Sequence, residues 1–312
     1  MKVSILCIAF NHEQYIRKAL DGFVNQTTDF DYEVIVHDDA STDGTADIIR
    51  EYVQKYPNLF KPIYQTENKY SQRVDIVTEF MLPVASGEYI AFCEGDDCWI
   101  DERKLQLQVD FLDQNPDYIA CVHNCWCNDL CTNQKTVLYP PEDRDLKVTD
   151  LVKSGGCCYQ TASLMCKREA FFDLPPFVPG FFDYPFSIHL AILGPVRYLG
   201  KVMSVYNVGT PGSWTVLHRK DLRKTAMFHS FVSDMLKQVD EYTGFAYTEQ
   251  LGELIHYNNY KALYYEEKYS ELRSAEYRDL YNKESFASRF KMCLKQYCSP
   301  LYHLYRRWKY RY

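Results

Sequence analysis

The stretch "CEGDDCW", Cys93 to Trp99, puts three carboxylates (Glu94, Asp96 and Asp97) within four positions, directly after the apolar run "YIAF". Like charges this close raise one another's pKa unless a cation keeps them ionised. A divalent ion that prefers oxygen does so and still leaves ligand positions open for phosphate oxygens. Two carboxylates, a hard cation and a diphosphate therefore form a chemically complete set. A solvated loop is the plainer reading, but Trp99 and the apolar run point to a partly enclosed site. Two other polar groups invite the same question. "DDASTDGT" carries Asp38 and Asp39, and an ionised carboxylate just past a strand can accept an imide N–H, which suits uracil. Ser41, Thr42 and Asp43 in that stretch also suit a helix N-cap. In "FNHE", Asn11 and Glu13 either meet a ligand or close a turn and cap the helix that follows.

The elements that must position these groups alternate in period. "KVSILCIAF" reads as a buried strand, and "EQYIRKALDGFVNQ" then places Ile16, Ala19, Leu20, Phe23 and Val24 at helical spacing. "YEVIVHDD" and "TADIIREYVQKY" repeat the pattern. "FKPIYQTE", a helix through "RVDIVTEFMLPVA" and a strand "EYIAFC" complete it. Strand and helix in this order imply a parallel sheet with right-handed crossovers. Ligands of open parallel sheets bind beyond the carboxyl ends of the strands, where the strand order reverses, and all three polar groups follow strands. "TASLMC" reads as a further buried strand, and Gly155 and Gly156 before it allow close backbone approach on an acceptor side.

The ordered motifs "VSILCIAFNHEQYI", "YEVIVHDDASTDGTADII", "GEYIAFCEGDD" and "KLQLQVDFL" resemble the family 2 inverting glycosyltransferases of bacterial surface-polysaccharide type, over roughly residues 3–203. The resemblance implies the α/β fold called GT-A, a Rossmann-like, mainly parallel sheet flanked by helices. It implies a catalytic domain at 1–218, with a nucleotide-sugar half to about 100 and an acceptor half beyond, while the Tyr-rich sequence at 219–312 reads by itself as a helical extension. It also implies a nucleotide-sugar donor, probed by Ala9, Asn11, Glu13, Asp39, Glu94 and Asp96, and Mn2+ or Mg2+ held by Asp96 and Asp97. Glu94, Gly95 and Asp96 fill the family's Asp-x-Asp frame with Glu for the first Asp, one methylene longer. His218, in the Gly/Pro/Ser-rich "GTPGSWTVLHRK", stands where related enzymes sometimes place a third metal ligand, in a loop of the kind that orders over substrate.

The implied reaction is a single displacement at an anomeric carbon, which needs a base for the acceptor hydroxyl. Asp183 in "PGFFDYPFSIHLAILG" is the candidate: aromatic and apolar surroundings raise a carboxylate's pKa. It also precedes Pro185 as a helix N-cap would, and the two roles are compatible. His189, six residues on, reads as a core histidine.

With 312 residues, 46% hydrophobic and 25% charged, the chain suits one large globular domain with an appendage. Its apolar runs fall short of the roughly 18–20 residues of a membrane span, and "MKVSIL" lacks a signal pattern, so the expected address is the cytoplasm. Twelve cysteines are then expected as free thiols. The group Cys121, His123, Cys125, Cys127 and Cys131 raises zinc, but 121 to 127 alternate along one strand face instead of closing a tetrahedron. From Ser285 onward there are seven Lys/Arg and no acid, so with a net charge of -7 the remainder carries -14. Leu301, Leu304, Tyr305, Trp308 and Tyr312 recur at helical spacing among those bases, as in a helix lying at a membrane surface, which suits a lipid-linked saccharide acceptor. Packing on protein is the alternative.

Other functions fit less well. Nucleic acid is disfavoured by the acidic body and the lack of a recognised module. A nucleotidyltransferase would open on a Gly-rich basic loop, which "CIAFNHEQ" is not. A polysaccharide synthase would need membrane spans. A silent sugar-nucleotide binding module has the same motifs and differs only in turnover.

Overall fold

The computed structural model describes residues 1–180, 183–211 and 221–298. Four strands form the front of the first compact unit, Met1–Ser213: β1 (Val3–Ala9), β2 (Tyr32–Asp38), β3 (Phe60–Tyr64) and β4 (Tyr89–Phe92). They lie in the order β3-β2-β1-β4, all parallel. Their runs are apolar almost throughout because helices cover a parallel sheet. α1 (Ile16–Val24) and α2 (Thr45–Lys55) make the first two crossovers, and α1 buries Ile16, Ala19, Leu20 and Phe23 on one side. The chain leaves β1 in one direction to β2 and β3, then returns to β4 on its other side. The strand order therefore reverses between β1 and β4, and a crevice opens at their carboxyl ends.

Beyond β4 the sheet is mixed. β9 (Met165–Lys167) runs antiparallel to both β4 and β6 (Ala120–Asp129), while β10 (Val196–Val208) runs parallel to β6. The two-residue β5 (Cys98–Trp99) pairs antiparallel with β10. β7 (Gln134–Val137) and β8 (Arg144–Leu146) extend β6 and β10. α3 (Lys104–Gln114), α4 (Val148–Ser154) and α5 (Asp183–Leu193) complete the unit.

Two segments depart from the sequence reading. "RVDIVTEFMLPVA" forms only a wide π-type turn, Val77–Met81, with Asp75 accepting the Val77 amide at its start and Pro83, which has no N–H, at its end. "TASLMC" is a tight turn, Thr161–Ser163, before the three-residue β9. Side chains take its carbonyls: Trp99 Nε1 donates to Ala162 O at 2.8 Å and Gln108 Nε2 to Ser163 O at 2.9 Å. His189 is 1% exposed, a core histidine whose Nε2 meets the Ala170 carbonyl at 3.0 Å. The cysteines of the described residues are free, with Cys121 and Cys125 buried on β6. Among the described residues no group of three or more His, Cys, Asp or Glu is placed to hold a metal, so the zinc reading gains no support.

At the opposite end of the sheet Glu33 is buried between Ser4, Lys61 and Ser86. Burial alone would raise its pKa, but the hydrogen bonds from Lys61, Ser4 and Ser86 outweigh it and hold the carboxyl down to about 2. A folded pKa below the unfolded 4.5 means that Glu33 stabilises the fold above pH 4.5 and loses that contribution as pH falls toward 2. The melting temperature of the wild type should therefore fall more steeply over this window than that of Glu33→Gln. Parallel curves would remove the assignment.

The second unit, Trp214–Tyr312, is helical where described. α6 (Leu222–Tyr242), capped by Asp221 accepting the Arg223 amide, turns at Gly244 (φ 62°) into α7 (Thr248–Tyr265). α8 (Arg278–Lys283) and α9 (Phe286–Tyr297) follow, over a small core of Tyr260, Tyr269, Leu272, Tyr277 and Met292. None of the described helices is long and apolar enough to cross a membrane.

Candidate active site

The loops after β1 and β2 are stitched to each other. Asn11, at φ 56°, donates its amide to Ser41 Oγ at 2.9 Å and accepts the Thr42 amide on Oδ1 at 2.8 Å. His12 N donates to Thr45 Oγ1 at 2.8 Å. The Glu13 amide donates to Asp43 Oδ2 at 3.1 Å, and Glu13 Oε2 accepts the Gly44 amide at 3.1 Å. The side chains of Asn11 and Glu13 thus brace the second loop, while Ala9 is buried at the end of β1 and the Phe10 ring is exposed. Asp43 Oδ1 accepts the Thr45 amide at 3.0 Å, but the N-cap of α2 is Gly44 with no side-chain cap, so Ser41, Thr42 and Asp43 do not cap the helix as the sequence suggests; Asp43 closes a tight turn just ahead of it.

Asp39 is 1% exposed, and its two oxygens accept the amides of Lys69 at 2.7 Å and Tyr70 at 3.0 Å. The loop after β3 is therefore part of the same crevice. Tyr70, 58% exposed, has its pKa raised by the protein packed around it and then by the charge of Glu94. Sequence reading did not flag Tyr70, although the rule that ligands sit past strand ends covers "ENKYSQR" too.

The acidic motif follows β4 and divides its three side chains. Asp97 points inward, 2% exposed, and its Oδ1 accepts the Asn207 amide at 2.8 Å. Asn207 also donates from Nδ2 to the Asp96 carbonyl at 2.6 Å and accepts from Asn128 Nδ2 at 2.7 Å, so the end of β10 clamps the motif. Asp96 Oδ2 accepts the Thr210 hydroxyl at 2.7 Å and stands 4.0 Å from His12 Nε2. His12, absent from the residues singled out by sequence, has its pKa lowered by burial against the opposing pull of Asp96, Asp43 and Asp38. Gly95 is pinned between the loops: a Cβ there would lie 2.8 Å from His12 Nδ1 and 2.9 Å from Ile16 Cδ1.

Glu94 is solvent-exposed, yet the protein around it displaces enough water to raise its pKa well above the usual carboxylate range, with the charges of Asp96 and Asp183 adding to the effect. Asp97 is raised likewise by burial, Asp96 and Glu94, against the Asn207 amide. Asp183, the first residue of α5, is raised by burial and held back by a hydrogen bond with Thr161. Asp183 is likewise solvent-exposed, and the protein packed around it displaces enough water for desolvation to dominate. Beside Asp183 a small pocket is lined by Gly156, Tyr159, Gln160, Thr161 and Phe186. His218 lies outside the described residues.

Residues 4–171, more than half of the chain, match the family model described as glycosyl transferase family 2. The uncharacterised protein Rv1520 of Mycobacterium tuberculosis is 38% identical over 218 residues, which are 68% of this chain and 60% of that protein. The chain thus spans less than two-thirds of that relative. Poly(ribitol-phosphate) beta-glucosyltransferase of Bacillus spizizenii is 38% identical over 121 residues, 38% of this chain and 18% of that one. Among solved structures, S. aureus TarS 1-349 in complex with UDP matches with a TM-score of 0.59 at 14% identity, over 92% of this chain and 93% of that chain. The mannosyltransferase PcManGT from Pyrobaculum calidifontis, in complex with GDP-Man and Mn2+, gives 0.54 at 18% identity, over 98% and 82%. At such identities the likeness shows a shared fold, the GT-A arrangement of mixed sheet and flanking helices.

Proposed function

Because the chain belongs to glycosyltransferase family 2, we propose that it transfers a hexosyl or N-acetylhexosaminyl group from a UDP-sugar to a hydroxyl of a glycan or lipid-linked saccharide, with inversion and with Mn2+ or Mg2+ bound. The single observation that carries this reading is that Asp39, holding two amides of the loop after β3, and Asp96, held by Thr210 beside His12, both stand past the carboxyl ends of parallel strands where the strand order reverses. Binding of UDP by one structural neighbour and of GDP-Man with Mn2+ by another supports it. The enzyme would act in the cytoplasm at the inner face of the membrane, in assembly of a surface polysaccharide.

The donor set fits a hard divalent ion: Glu94 and Asp96 are oxygen ligands whose mutual repulsion a cation would relieve, and such ions bind through one or two carboxylates plus substrate phosphates. When bound, the ion supplies Lewis-acid compensation for charge on the departing diphosphate. Asp96 is the better direct ligand, because Asp97 is turned into the protein and engaged by Asn207. Asp39 retains a second lone pair on each oxygen for a base imide, with Asn11 and Glu13 fixing the loop after β2. Asp183 takes the proton of the acceptor hydroxyl as its oxygen bonds to the anomeric carbon. The bond from that carbon to the diphosphate breaks on the opposite face, and its electron pair leaves with the phosphate oxygen. A carboxylate whose pKa is raised by burial suits this role.

A thermal-shift panel of nucleotide sugars with and without manganese tests the reading, since a ligand that binds only the folded state raises its melting temperature by mass action. UDP-sugars with Mn2+ should shift it upward, and a flat response to every nucleotide diphosphate sugar would end the transferase account. Gly95→Ala is expected to raise the donor KM about tenfold or more, because the new methyl must push His12 or Ile16 aside. Unchanged steady-state kinetics would show that the loops yield freely.

A further inference from the structure

The exposed face of α9 is aromatic and framed by bases. Phe286 is 77% exposed, Phe290 53% and Tyr297 70%, whereas Met292 is 1% exposed on the other side of the helix. At about 100° per residue the three rings fall within roughly 40° of one another, with Arg289 on one flank and Lys291 on the other. The Phe286 and Phe290 rings stack at 6.2 Å and 12°. Arg273 donates to the Tyr297 hydroxyl at 3.0 Å, which fixes that ring at the end of the stripe. Neither Arg289 nor Lys291 forms an ion pair with another described residue.

We propose that this face docks on an anionic lipid bilayer, the rings entering the headgroup boundary and Arg289 and Lys291 meeting lipid phosphates. Charge decides for lipid: from Ser285 onward the chain has seven Lys/Arg and no acid against -14 elsewhere, so an anionic surface attracts this end of the chain. Chemistry decides with it, since rings flanked by bases on a helix of low overall hydrophobicity are what lies in an interface plane. The inference goes beyond the transferase reading and stands without it, because it uses no residue of the crevice.

Co-sedimentation of the full chain with vesicles tests it. Vesicles of phosphatidylglycerol and phosphatidylcholine should pellet the wild type, pure phosphatidylcholine should pellet much less, and added salt should release it. The double variant Phe286→Ser/Phe290→Ser should lose about tenfold or more in partitioning while its melting temperature and UDP binding stay as in the wild type. A wild type that stays in solution with anionic vesicles overturns the proposal. So does a double variant that binds equally well, or sedimentation velocity showing a lipid-free dimer that the two substitutions dissolve. Failure of UDP binding in the same preparation would strike the transferase reading alone.

Discussion

Asp183→Asn should lower the transfer rate by about 10²–10⁴-fold while leaving donor affinity within about twofold. The amide matches the carboxylate in size and keeps an oxygen for the hydrogen bond with Thr161, so α5 and the neighbouring pocket should hold their places. What it loses is the ability to take a proton. Because burial and not a salt bridge sets the Asp183 pKa, the wild-type rate should rise with pH as this group ionises, on a limb displaced upward from an ordinary aspartate. Initial rates with a UDP-sugar, together with calorimetric UDP affinity, measure both halves. Loss of rate and affinity together would make Asp183 a structural residue. A variant with wild-type turnover would move the base elsewhere, and a protein that binds donor but never turns over would be the silent module.

The second large effect separates two neighbouring acids. Asp96→Asn should cost about 10²–10³-fold in rate, since several kcal/mol of charge compensation at the diphosphate depend on it. Asp97→Asn should cost far less and should leave the melting temperature unchanged or higher. Its amide oxygen can still accept from the Asn207 backbone, and the substitution removes a buried charge that Asp96 and Glu94 repel. Manganese titrations of activity in the two variants decide the matter: the Asp96 variant should need much more metal, the Asp97 variant about as much as wild type. The reverse order would place the ion on Asp97.

Much of the front half is legible in sequence because it is local. The runs "VSILCIA" and "YEVIVHD" are strands with apolar residues on both faces, and α1 and α2 follow from 3.6-residue spacing. A ligand site past the strand ends follows as well, whereas the return of the chain to β4 beside β1 is visible only in the pairing. Pairing beyond β4 is not legible, because the antiparallel β9 is three residues long and joins β4 to β6 across dozens of positions. The acidic cluster announces itself by charge density. That Asp97 turns inward does not, since it depends on Asn207 at the far end of β10. His12 escapes for a related reason: its meaning comes from Asp96 and from the space left by Gly95, both distant in sequence. Asp39 shows the limit of motif reading most plainly. Sequence assigns its carboxylate to a base, and the structure shows it holding two amides of a loop that carries no motif.

Calorimetric titration of UDP into the full chain, once with Mn2+ and once with excess chelator, tests the central claim that one crevice binds a divalent ion and a nucleotide diphosphate together. Tight binding with manganese is the predicted result, weakened about tenfold or more by chelator and by Asp96→Asn but not by Asp183→Asn. Equal heats with and without metal, or no heat at all, would contradict it.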